Sequence, residues 1–153
     1  MSDKESKQRE ENDAEARYQA MMREIELKTV RFIDASVTRD PDLEIGSSSI
    51  NVEKKTEYAI NDDDKKLFRF NEHIDLKAVL EDSEKEIFTL SGSLLLYYHS
   101  PIEVDSEILE MFASRNLSIH SWPYLREFTQ SMSARMGLPP ILLPLLLPKG
   151  HAE

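Results

Sequence analysis

"SSINVEKKTEYAI", residues 48–60, alternates with period two: Ile50, Val52, Lys54, Thr56, Tyr58 and Ile60 take one side, while Asn51, Glu53, Lys55 and Glu57 take the other. A period of two over such a length is the signature of a half-buried strand with one wet face. Working outward, the pattern recurs. Residues 29–38, TVRFIDASVT, are rich in β-branched and aromatic side chains, which favour the extended backbone. NDDDKK, residues 61–66, reads as a solvated turn; its three aspartates lack the glycine and distal glutamate of a calcium loop. Phe68, Phe70, Ile74, Leu76, Ala78 and Leu80 then mark one face of a long strand, EDSEKE makes a second turn, and IFTLSGSLLLYYH, residues 87–99, forms a fourth strand. Gly92 inside that strand marks a bulge or a close backbone approach.

Helical periodicity frames these strands. Ala14, Tyr18, Met21, Met22 and Ile25 recur at spacings of three and four, predicting an amphipathic helix over 14–28 whose Met-rich face reads as packing. Residues 1–13, MSDKESKQREEND, carry no apolar run and are expected to be a disordered acidic lead-in. After Pro101, Asp105 or Ser106 can cap a helix bearing Ile108, Leu109, Met111 and Phe112. A second helix is expected to begin near Pro123, with Ser121 as its cap, and to stop at Gly137. Four antiparallel strands followed by two C-terminal helices packed on one face make an α+β domain over 29–148, with 149–153 as a short tail.

Composition narrows the function classes. The chain of 153 residues is 40% hydrophobic and 31% charged, with a net charge of -10 and no cysteine. That charge argues against nucleic acid and anionic membrane as partners. The absence of cysteine excludes disulfides and thiolate metal sites, and the charged start is not a signal peptide; a cytoplasmic protein is expected. No nucleotide-cradling or zinc-protease motif is present. His73, His99, His120 and His151 lie far apart in sequence, so neither a metal, a cofactor nor an enzyme activity is expected.

The remaining signal is apolar. GLPPILLPLLLP, residues 137–148, holds seven aliphatic residues and four prolines. Prolines 139, 140, 144 and 148 forbid a helix and remove ladder donors, so the segment must lie extended. It either covers its own core or borders a groove or subunit contact, and both can hold.

Residues 122–139, WPYLREFTQSMSARMGLP, resemble the SecB family of export chaperones, which carries an aromatic-Pro-Tyr-x-Arg-Glu helix start, then Ser-Met, an Arg, and a Pro opening an apolar segment. The matching positions are Trp122, Pro123, Tyr124, Arg126, Glu127, Ser131, Met132, Arg135 and Pro139. The order of strands, helix and apolar tail agrees from about residue 29 to 148. The resemblance implies an ATP-independent holdase that binds unfolded or pre-export polypeptides in hydrophobic grooves and assembles as a dimer of dimers. It also implies a role in protein export or, since SecB-like proteins occur beside toxin–antitoxin pairs and on phage genomes, as the dedicated chaperone of an antitoxin.

Against the family's pattern, Asp34 is the one candidate for docking a translocation motor, while Thr38 stands where a second acid is expected, which weighs against docking. Only five residues follow Pro148, so the family's last helix and tail are not expected, and PILLPLLL lacks polar interruptions. The client-binding candidates are Tyr97, Tyr98, Trp122, Tyr124, Leu138, Ile141, Leu142, Leu143 and Leu145, with Trp122 equally readable as a core anchor. Phe112, Arg126 and Glu127 are candidates for an oligomer contact or for fixing the helix start. The alternative is a non-chaperone oligomeric protein with one fixed partner.

Overall fold

The computed structural model describes residues 2–44 and 46–145. Its elements run α1 (Asp3–Glu24), β1 (Glu26–Arg39), β2 (Ser48–Ile60), β3 (Leu67–Leu80), β4 (Glu86–His99), α2 (Ser106–Arg115) and α3 (Leu117–Arg135). The strands form one antiparallel sheet in the order β1-β4-β3-β2. The two turns join β2 to β3 and β3 to β4. In the first, the Asn61 side chain accepts from the backbone N–H of Asp63 and Asp64, each at 2.9 Å. This is Asx-turn chemistry, and it accounts for the acidic residues without a cation. The chain between β1 and β2 crosses from one edge of the sheet to the other.

Register separates two faces. Phe68, Phe70, Ile74 and Leu76 of β3 stand opposite Tyr98, Leu96, Gly92 and Leu90 of β4, all on the inner face and all buried. The helices α2 and α3 cover this face. Phe112 of α2 packs edge-on against Phe68 and Tyr98, and Phe128 of α3 lies 4.6 Å, centroid to centroid, from Phe32 of β1. Gly92 is the close approach expected of it: a Cβ there would sit 3.0 Å from Phe128 Cε1. The outer face carries Arg69, Asn71, His73, Asp75 and Lys77 of β3, all exposed or half-buried, with Ser93 and Leu95 of β4 buried between the neighbouring strands.

Three boundaries differ from the sequence reading. The expected disordered lead-in is helical, because Ser2 and Glu5 form a capping box and the acidic Asp3 and Glu5 occupy the first turn, where they complement the helix dipole. Residues 3–13 are exposed on every side, so these charged helix formers need no core. The same helix stops at Glu24 rather than 28, and β1 starts at Glu26. Finally, α3 begins at Leu117, six residues before Pro123, which lies inside the helix. Ser121 is therefore no cap. It is buried and donates to Glu72 Oε1 at 3.1 Å.

The helix α1 is tied to α2 by its second half. Arg17 meets Asp105 at 2.7 Å, Glu15 meets Arg115 at 2.9 Å, and Arg115 lies over the Tyr18 ring. These exposed contacts frame the buried Ala14, Tyr18 and Met21.

Candidate functional site

The end of α3 sets the course of the apolar segment. Gly137 adopts φ of +76°, the left-handed turn that ends a helix and favours glycine. There the N–H of Leu138 returns to the Ser133 carbonyl at 3.0 Å. Prolines 139 and 140 then hold the chain extended. An extended strand without ladder partners leaves its polar backbone to be satisfied by side chains, and α3 supplies them. Ser133 Oγ accepts from the Ile141 N–H at 2.8 Å, Arg126 Nε donates to the Leu143 carbonyl at 2.9 Å, and Trp122 Nε1 donates to the Pro144 carbonyl at 2.6 Å. From the far edge of the sheet, Arg39 Nη1 donates to the Met136 carbonyl at 2.6 Å.

Pinned this way, the segment divides its side chains. Leu138 and Leu143 are buried and Ile141 is half-buried, whereas Leu142 is 69% and Leu145 76% exposed. Between the segment and strand β2 lies a shallow groove of about 250 Å³, floored by Ala78 and Ile87 and walled by Ile50, Pro139, Pro140 and Leu142. Ile50 is itself 46% exposed. Among the described residues this is where apolar chain meets apolar sheet without a lid. Leu146, Leu147 and Pro148 lie outside the described residues, as does the 149–153 tail.

Under α3 lies a polar cluster that sequence reading missed. Glu72 is fully buried on the inner face of β3, between Phe70 and Ile74. It accepts from Lys54 Nζ at 3.3 Å, from Ser121 Oγ at 3.1 Å and from Thr56 Oγ1. Lys54 also reaches Ser118 Oγ at 3.3 Å and stands over the Trp122 ring. Lys54 and Thr56 are the two polar members of the inward series on β2, and that interruption of an apolar face was the available signal. Nearby, Tyr98 Oη lies 2.8 Å from His120 Nδ1. Burial pushes the Tyr98 phenol well above its usual range, with the Glu72 charge adding to the effect. Burial also lowers the pKa of His120, so above its ordinary value of about 6.5 this hydrogen bond joins two neutral groups.

The candidate residues do not converge on one surface. Trp122, Phe112 and Tyr98 are core residues, each at most 1% exposed: Trp122 takes its alternative reading as a core anchor, while Tyr98 as a client-binding candidate and Phe112 as an oligomer-contact candidate are corrected, because the helices consume their rings in closing the sheet. Leu138 and Leu143 likewise face inward. Arg126 holds the segment's backbone rather than the start of α3. Tyr124 and Glu127 are exposed on α3, and Asp34 is exposed on β1, paired with Ser93 of the outer face. Tyr97 also belongs to the outer face, separated from the groove by the sheet itself.

The outer face holds one grouping with the appearance of catalytic chemistry. His73 Nδ1 lies 2.7 Å from Ser93 Oγ, and its Nε2 lies 3.1 Å from Asp75 Oδ2. All three sit on the two central strands, whose backbone N–H groups are spent on the sheet ladder. Ser91 Oγ also lies 3.3 Å from His73 Nε2; the grouping is a cross-strand polar contact. Among the described residues, no three His, Cys, Asp or Glu cluster tightly enough to hold a metal ion. Among those residues, too, no helix is long and apolar enough to cross a membrane.

No protein-family model matches the chain, and no curated protein does. Solved structures do. The SecB-like chaperone Rv1957 of Mycobacterium tuberculosis, determined in complex with a ChAD peptide from the Rv1956 HigA1 antitoxin, superposes with a TM-score of 0.74 at 14% identity. The match covers 86% of this chain and 98% of that one. A Streptococcus agalactiae protein of unknown function is more distant, with a TM-score of 0.49 at 16% identity, covering 80% of this chain and 98% of that one. The chain has the SecB-like α+β fold.

Proposed function

We propose that the chain is a divergent SecB-like chaperone that holds non-native polypeptide, without ATP, along the groove between β2 and the 138–145 segment. The observation that carries this reading is a fixed apolar edge, open among the described residues: Leu142 and Leu145 are held out to solvent by a backbone that α3 pins in place, beside the exposed Ile50 of β2. Large apolar side chains grouped at one edge mark an interaction surface. A groove of this kind recognises greasiness rather than sequence, which suits a holdase.

The energetics favour many weak contacts. Burying ~600 Å² of client surface is worth roughly 15 kcal/mol gross at about 25 cal/mol per Å². Ordering the client costs about 1–2 kcal/mol per residue, so a contact of about ten residues nets little. Several grooves on one homo-oligomer then hold a long client by raising its effective concentration, and a dimer of dimers is the assembly we propose. The antitoxin peptide bound to the Mycobacterium tuberculosis neighbour supports an antitoxin as the client over a general export substrate.

The test is light scattering of a chemically denatured protein diluted into buffer without nucleotide. A several-fold excess of this chain is expected to suppress aggregation, with the assembly's native mass rising as client binds. A stable oligomer that leaves aggregation unchanged would instead favour a protein with one fixed partner.

A further inference from the structure

We propose that Arg31, Tyr97 and Arg69, on the outer face of the sheet, form a docking site for an acidic segment of a partner polypeptide. In this arrangement a carboxylate of the partner seats between the two guanidiniums and a neighbouring apolar side chain enters the adjoining pocket. The site lies on the face opposite the client groove, and its partner chemistry goes beyond that reading.

The register places the three residues together. Arg69 of β3 stands directly opposite Tyr97 of β4, while Arg31 of β1 pairs with Leu95, one step along the same face. The Arg31 guanidinium lies over the Tyr97 ring, 5.6 Å from its centroid. Hydrogen bonding from Arg69, and after it from Arg31, draws the Tyr97 phenol below its usual pKa. A phenol oxygen accepts far fewer bonds than two guanidiniums donate, and the guanidinium fork matches a carboxylate bidentately.

Charge then identifies the occupant. Seven ion pairs tie up other cations among the described residues, yet neither Arg31 nor Arg69 has a carboxylate within reach there. Lys28, which lines the same pocket, is committed to Glu26. In a chain of net charge -10, two unpaired arginines converging on one aromatic ring leave a local excess of positive potential. The total charge repels an extended polyanion such as nucleic acid, which leaves a short acidic stretch.

The adjoining pocket, of about 480 Å³, is lined by Ala59, Leu67 and Tyr97, with Asn61 and Asp62 of the β2–β3 turn beside it and the edges of the core residues Phe68 and Tyr98 at its inner end. Asp62 sets the polarity across the site: the partner's carboxylate belongs at the arginine end and its apolar group at the Asp62 end. Leu67 is 37% exposed, so the pocket is open to such a group.

The experiment uses the full chain and two short fluorescent peptides, one alternating Glu and Leu and the other Gln and Leu, followed by anisotropy at low salt. The Glu peptide is expected to bind about threefold more tightly, the scale of exposed charge contacts at low salt. The double substitution R31Q/R69Q is expected to erase that preference while circular dichroism shows an unchanged fold, and Lys55→Gln, a cation elsewhere on the same face, to leave it intact. Equal binding of the two peptides overturns the proposal, as does a preference that survives R31Q/R69Q or vanishes equally with K55Q. Aggregation suppression by the wild-type chain reads the groove separately: suppression without the Glu preference overturns this site and leaves the chaperone reading standing.

Discussion

Two ion pairs of equal length, one on each face of the sheet, show what the fold does with charge. Lys54 and Glu72 on the inner face are 3.3 Å apart with side chains 10% and 0% exposed. Lys77 and Glu86 are also 3.3 Å apart but 56% and 50% exposed. Distance is the same, so solvent decides the difference. The exposed pair is screened and worth little. The inner pair is a commitment: both ions have left water, and each depends on the other and on the hydroxyls of Thr56, Ser118 and Ser121.

The largest expected effect breaks that inner pair. Glu72→Ala strands the Lys54 ammonium and two hydroxyl donors beneath α3, and urea unfolding is expected to show a loss of about 3 kcal/mol, the range for an orphaned buried charge. Glu86→Ala on the outer face is expected to cost less than about 0.5 kcal/mol. Equal losses from the two substitutions would erase the distinction between the faces. Gly92→Ala probes the same closure sterically. Its methyl must displace Phe128, itself seated on Phe32, so thermal unfolding is expected to fall by the equivalent of about 1–2 kcal/mol.

A smaller effect sharpens the comparison through pH. Burial lowers the folded-state pKa of His120, so the unfolded chain takes up its proton first as pH falls. The contribution of His120 is therefore fully present above its ordinary value of about 6.5 and is lost as pH drops through the folded value. Melting curves from pH 7.5 to 5 are expected to fall less steeply for His120→Gln than for the wild type. Parallel slopes would mean that the buried Tyr98–His120 contact carries no proton linkage.

The same contrast explains what was legible in the sequence. Strands were legible because period-two patterning is local, and Gly137 because a helix stop is local too. The start of α3 was not, since Pro123 resembles a first-turn proline and only the packing of Leu117 and Ser121 reveals the extra turns before it. The helical lead-in lay in the Ser2–Glu5 capping box, a signal that the missing apolar face concealed. Trp122 and Tyr98 had the composition of a binding surface; their burial depends on which face of the sheet α3 covers, and no local pattern encodes that. Glu72 was partly visible, since Lys54 and Thr56 interrupt the inward series of β2. The Arg31–Tyr97–Arg69 grouping joins three strands whose order the sequence leaves open.

The central claim is that client chain lies against the pinned leucines on the inner side and not across the outer face. Photo-crosslinking addresses it directly, with the crosslinking side chain placed at Leu142 or, as control, at Lys77, and a denatured client added without nucleotide. The account predicts strong client adducts from position 142 and few from position 77. Adducts that are equal at the two positions, or that favour position 77, would contradict it.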